Sequence, residues 1–524
     1  LRHQPHSFRA APTLATLIVG ASVMGLAGAR LAAAQSAATA GPAIPPGAVA
    51  GTAEFVSFEY FVPVDRTSPP AASPGAVEDP GTDGAPPESG PPDTNGIVTV
   101  APGKGTPGGS GAGSGGSLTV VSSFAGEPAG SPPDTNLAVG PRDIVEFVNS
   151  SAEVWTHSGR VEAHFSLNSL FDYRTPKTGC GDGRVVYDPA THAFFASYLG
   201  HCAPKGGPSE VDLAVSLDPS KGWDVYKVSK EGLLQDQPKI GFSDDKVMIA
   251  WNEHGSQVVA IQKAGLLEGL QSVPAALWGP YPARRGVDPA VQLSPGKVAY
   301  AMYHTTQTAS VGMLSFSGDP GVSPVFFVEN DFDVPQTVVA PPAVQPPTTS
   351  GPPAMYLDTE DDRLQEAVWR DGQYYSGLDD YCKAPADTTG RACMQIYHVD
   401  TTTMTMVRDV ELTAVGGYVY FPALTLDRRG NLWIAFTSSS STQTASSEIA
   451  EIPGGTFPSS VTGYVYHQGP GTVSGCRQKS PNRRWGDYSG IAVDPAQGGL
   501  GVWAATEYGE SGCKAGTAIG EFHS

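Results

Sequence analysis

One hairpin plan recurs along this chain, and that recurrence leaves few folds open. Its last complete copy runs over residues 485–508. An aromatic, polar lead (485–489) gives way to a short apolar strand, 491–493. Asp494-Pro495 and Gly498-Gly499 turn the chain, and a second apolar strand, 500–505, ends on Glu507-Tyr508. Turn chemistry between two apolar runs is a hairpin signal. Earlier copies read at 137–149, 184–199, 239–252, 291–303, 354–369 and 423–437. Each carries Asp, Ser or Gly in its turn, with Asp188, Asp244, Asp358, Asp427 and Asp494 among them.

A second, weaker hairpin follows each of the first six, as at 153–163 around His157 and 394–410 around Asp400. Two hairpins make a four-stranded sheet, and repetition of such a unit is the sequence signature of a β-propeller. The expected fold is all-β: a seven-bladed β-propeller, with six blades as the alternative count. The last unit is one strand short. Residues 117–124 supply an apolar strand just ahead of the first hairpin, so an N-terminal strand pairing with the last blade is expected to close the ring and remove two free edges.

Ahead of this domain (117–524), residues 35–116 are dominated by Pro, Gly, Ala and Ser, a composition that reads as a flexible linker. The apolar run 54–62 is the exception and is a candidate to dock as a strand. Residues 1–34 read as a signal peptide: Arg2 and Arg9, an apolar stretch, then Ala32-Ala33-Ala34. The chain is therefore expected to be secreted, extracellular or at the cell surface, with no membrane span after signal cleavage and as a monomer. A net charge of −20 argues against nucleic acid as a partner.

In an exported chain, six cysteines suggest three disulfides. Hairpin placement pairs neighbours: Cys180 with Cys202, Cys382 with Cys393, and Cys476 with Cys513. All three then staple loops on one face.

That face also gathers the polar residues. Asp134, Asp182, Asp236, Asp288 and Asp487 each stand just before a first strand, the strand that lines a propeller's channel. They are expected to ring one mouth. Either they bind a polar ligand, or a structural cation such as calcium, or they only accept hydrogen bonds from loop amides. On this reading the chain carries no cofactor, or that cation. Trp485 and Tyr488 join the ligand-binding candidates. Glu507 beside Tyr508 is a candidate base–nucleophile pair, and Arg184, Arg285 and His254 are further catalytic candidates.

The segments Pro132-Pro-Asp-Thr-Asn-Leu-Ala-Val-Gly140, Arg184-Val-Val-Tyr-Asp-Pro189 and Trp485-Gly-Asp-Tyr-Ser-Gly490 resemble exported bacterial propeller proteins of the sialidase-like (BNR-type) superfamily. The resemblance covers roughly 117–524. It implies fold and export more than activity, since the S-x-D-x-G-x-x-W boxes and F/Y-R-I-P segment of true sialidases do not occur here. The leading expectation is an extracellular binding module for glycan or another cell-surface ligand. The rivals are a polysaccharide-active hydrolase or lyase, and a purely structural surface protein.

Overall fold

The computed structural model describes residues 49–52, 54–61, 98–103, 118–127, 132–171, 181–200, 208–229, 232–233, 235–253, 255–281, 286–304, 308–476 and 482–524. The signal-like residues 1–34, and Cys180, Cys202, His254 and Arg285, lie outside them.

From residue 136 the chain is laid down as successive antiparallel ladders. The first is Asn136–Val139, Asp143–Phe147, Ser151–Thr156 and Val161–Ser166. The second is Gly181–Asp188, Ala193–Gly200, Pro208–Asp218 and Gly222–Lys227. The third is Asp236–Phe242, Lys246–Asn252, Ser256–Gln262 and Ser272–Tyr281. The fourth is Asp288–Pro289, Ala299–His304, Ser310–Ser317 and Phe326–Asp333. The fifth is Glu366–Arg370, Gln373–Cys382, Arg391–Asp400 and Thr405–Thr413. The sixth is Gly417–Leu426, Leu432–Ser440, Ser446–Ile452 and Ser460–His467. The last is Gly490–Asp494, Gly501–Glu510 and Lys514–His523, and its outer strand is Thr119–Ala125 from the other end of the chain.

These sheets bury both faces, which explains why their inner strands read as nearly continuous apolar runs rather than alternating ones. Every residue of Ala193–Gly200 is buried. Apolar clusters fill the space between one ladder and the next. Phe147, Val154 and Phe165 of the first meet Tyr187, Phe194 and Trp223 of the second. Met302 and Met313 of the fourth meet Tyr374 and Tyr397 of the fifth. The same relationship joins the last ladder to the first: Trp503, Ala505 and Ile519 pack with Leu137, Ile144 and Trp155. This is a propeller-type arrangement, in which each sheet has no core of its own and takes one from its neighbours.

Among the described residues of 35–116, three segments are strands on outer edges. Val49–Thr52 pairs antiparallel with Phe326–Asp333. Glu54–Phe61, inside the apolar run noted in the sequence, pairs antiparallel with both Gly222–Lys227 and Ser272–Tyr281. Val98–Gly103 runs parallel to Thr405–Thr413 and to Ser460–His467. Outer strands would otherwise present unpaired backbone groups.

The fifth hairpin differs from its expected place. The strand lining the channel is Glu366–Arg370, not the run around Met355. Tyr356–Leu357 pairs instead with Asn482–Arg483. The apolar run there is too short for a core strand, and Tyr356 stays 50% exposed.

Two of the expected disulfides are present, Cys382–Cys393 and Cys476–Cys513. Among the described residues, no helix is long and apolar enough to cross a membrane.

Candidate functional site at the channel mouth

The residue three positions before the apolar inner strand has a recurring geometry. Asp134, Asp182, Gln237 and Phe421 precede Leu137, Val185, Ile240 and Leu424 by that interval, and all have positive φ, from 46° to 58°. Non-glycine residues pay a steric cost in that region, so their amides must be held. In each case a side chain does so. The Glu507 carboxylate accepts the Asp134 N–H at 3.0 Å. Asn149 Oδ1 accepts the Asp182 N–H at 3.0 Å. Asp182 accepts the Gln237 N–H at 3.3 Å, and Asp379 accepts the Phe421 N–H at 2.9 Å. Asn149 follows a second strand, Asp379 and Glu507 lie near the ends of theirs, and each holds the leading segment of another ladder. Glu507, on the last ladder, does this for the first.

The five aspartates expected at the mouth divide into groups. Asp134, Asp182 and Asp487 are buried, and each offers a carboxylate oxygen within 4.8 Å of the other two. Asp134 accepts the N–H of Asp487 at 2.9 Å and the side-chain amide of Asn149. Asp487 is bound through Oδ2 to Arg484, while its Oδ1 is buried without a hydrogen-bond partner. Burial pushes Asp134 up to about 7, against the opposing pull of Arg484. Burial likewise holds Asp487 well above the usual carboxylate range, again opposed by Arg484.

Asp236 belongs instead to an ion-pair lattice. Arg363 bridges Asp236 at 3.3 Å, Asp361 at 2.7 Å and Glu360 at 3.5 Å. Arg484 reaches the other oxygen of Glu360 at 2.7 Å.

Asp288 faces a third group, around a small pocket of about 10 Å³ that also takes in Asn136, Arg184, Lys239, Gln365 and Glu366. The Arg184 guanidinium lies 3.7 Å from the centre of the Tyr488 ring and 3.6 Å from Glu366. It also donates to the Gln365 carbonyl at 2.9 Å. Lys239 donates to the Leu364 carbonyl. Burial lowers Lys239 to about 8 and raises Glu366 to about 8, the latter opposed by Arg184. Below this pocket the channel turns apolar, lined by Val139, Tyr187, Val368, Leu424 and Val493.

The structure does not bring Glu507 and Tyr508 together as a pair. Consecutive strand residues point to opposite faces. Glu507 turns to the Asp134 amide, whereas the Tyr508 ring lies 4.1 Å from the His467 ring. Trp485 is buried in a cluster with Tyr420 and Phe421, and Tyr488 lies beneath Arg184. Sequence reasoning missed Lys239, Glu366, Glu360 and Arg363. A signal for Lys239 existed: Asn136, Arg184 and Lys239 all stand one residue before an inner apolar strand begins.

Fold and mouth together define an all-β protein of propeller type with a buried, charged channel end. No family model and no curated relative matches the sequence. Among solved structures, the chain is similar to the Hadza microbial sialidase Hz136, at 13% identity and a TM-score of 0.37, over 61% of this chain and 65% of that one. It is similar to the Penicillium chrysogenum alpha-L-arabinanase complexed with arabinobiose, at 10% identity and a TM-score of 0.35, over 76% and 98%. It is also similar to the Neurospora crassa Pan2 WD40 domain, at 9% identity and a TM-score of 0.35, over 77% and 95%. The chain thus spans less than two thirds of the sialidase. With TM-scores this low, the likenesses add nothing to the ladder topology, and what those proteins bind or cleave is theirs.

Proposed function

We propose that this chain is a secreted, monomeric, seven-bladed β-propeller, closed by Thr119–Ala125, that serves as an extracellular binding module for glycan or another surface ligand. The contact of the last ladder with the first supports closure, because Glu507 repeats there what Asn149 and Asp379 do between consecutive ladders. The observation that carries the binding reading is the polar lining of the mouth. Two cations, two carboxylates and two amide side chains converge in it: Arg184, Lys239, Asp288, Glu366, Asn136 and Gln365. Interleaved donors and acceptors of this kind suit a polyhydroxylated ligand.

One observation favours the rival, a glycoside hydrolase or lyase. Glu366 is a buried carboxylic acid raised to about 8, beside Asp288, and a protonated acid near a second carboxyl is what glycosidic cleavage uses. The test is a glycan-array and polysaccharide-turnover screen of the full chain. Binding without turnover, weakened by Arg184→Ala, is the expected result. Turnover abolished by Glu366→Gln establishes the rival. Neither binding nor turnover on any glycan overturns both.

A further inference from the structure

The geometry points to a divalent-cation site, suited to Ca²⁺, formed by Asp134, Asp182 and Asp487 at the seam between the last ladder and the first two. The three aspartates come from the leading segments of three ladders, yet each presents an oxygen within 4.8 Å of the other two. Oxygen ligands lie about 2.3–2.6 Å from Ca²⁺, so oxygens this close to one another can share one ion. The donors are all carboxylate oxygens, with no histidine or cysteine in the group, a set that selects a hard cation over zinc or copper.

The second observation is Asp487 Oδ1, a buried acceptor without a hydrogen-bond partner on a residue only 3% exposed. Buried acceptors are nearly always satisfied, and leaving one bare is costly. Its sister oxygen is already taken by Arg484. Among the described cations, Arg484 contacts this group but is shared with Glu360. A bound cation satisfies the bare oxygen and offsets the remaining charge. It also ties residues 134 and 182 to residue 487, which makes it a clasp across the chain ends. This inference stands on the cluster and is independent of what the neighbouring pocket binds.

The experiment is a Tb³⁺ luminescence titration of the full chain, excited through its tyrosines and tryptophans, with Ca²⁺ as competitor, alongside thermal melts in EDTA and in CaCl₂. Saturable luminescence displaced by Ca²⁺ is expected, with a melting temperature higher in Ca²⁺ by on the order of 5 °C at a hundredfold excess over Kd. Asp182→Asn should abolish both effects. Should that variant fail to fold, Asp487→Asn gives the same reading, and the wild-type titration needs neither. Identical melts in EDTA and Ca²⁺ without Tb³⁺ luminescence overturn the proposal. So does a Ca²⁺ effect that survives Asp182→Asn but is lost in Glu153→Gln, since Glu127, Glu153 and His164 form the other cluster able to hold an ion among the described residues.

Discussion

The Asp134 carboxylate accepts the backbone N–H of Asp487 at 2.9 Å, joining residues 353 positions apart in the chain. Asp134 in turn donates its own N–H to Glu507. The two ends of the ladder series are thus held at the mouth by the same residues that form the acidic cluster. Farther from the channel, Thr119–Ala125 holds them again through its pairing with Lys514–His523.

The outer strand Thr119–Ala125 should carry a large share of the stability. Phe124 packs 5.1 Å from Trp155 on the first ladder and 6.3 Å from Trp503 on the last. Phe124→Ala should cost about 2 kcal/mol, below the ~3–5 kcal/mol of fully buried core aromatics because the ring is only half-buried. Deleting 117–125 should cost more, since the ladder with Lys514–His523 is lost with it. Denaturant melts of both variants check this. Unchanged midpoints would refute the clasp.

Stability should fall as pH rises from about 5 to 8 in metal-free buffer. Glu146 is fully buried, and burial raises it from 4.5 to about 7; its carboxyl accepts the Glu127 N–H at 2.6 Å and the Thr135 hydroxyl at 2.9 Å. Between those two values the folded state binds more protons than the unfolded chain. Its contribution is therefore complete below about 4.5 and lost as pH passes through about 7, on the order of 3 kcal/mol. Neighbouring Glu127, raised to about 9 mainly by burial, extends the decline upward. Glu146→Gln, neutral at every pH, should flatten the lower part of a melting-temperature profile.

Non-reduced peptide mapping should recover Cys382–Cys393 and Cys476–Cys513. The second closes the longer loop, with a separation of 37 residues against 11. Loop-closure entropy assigns it about 4 kcal/mol and the first about 3. Paired Cys→Ala variants should follow that order in urea midpoints.

Arg484→Met should be among the most destabilising surface-distant substitutions. It strips the partner from Asp487 and from one oxygen of Glu360, both buried or nearly so. Breaking a buried pair from one side costs about 3–5 kcal/mol. Adding Glu360→Gln to it should cost less than the sum of the two single changes, because the second removes a charge the first left bare.

A chain beginning at residue 117 should still fold cooperatively, but with a lower melting temperature. Its ladders still supply one another's cores, yet Ser272–Tyr281 loses the antiparallel partner that residues 54–59 provide. Hydrogen exchange should show faster exchange along that strand and leave the inner strands protected. Complete unfolding of the truncated chain would show that residues 35–116 are integral to the domain.

The sequence by itself determined the repeating unit. Apolar strands, turn residues and spacing are local properties of the chain, so hairpins such as 184–199 and 490–506 were legible, as was the unpaired strand at 117–124 and its partner at the chain's end. Where a run was short, as around Met355, the same local signal misplaced the hairpin. Which aspartates meet was decided only by the tertiary structure. Asp134, Asp182, Asp236 and Asp288 share one register in the sequence to within a residue, but their partners come from distant parts of the chain: Arg484 and Asp487 for Asp134, Arg363 for Asp236, and Lys239 and Glu366 for Asp288. Register fixes a residue's height along the channel. Its charge environment is set by which neighbouring loops fold over it, and that depends on packing between ladders rather than on spacing within one.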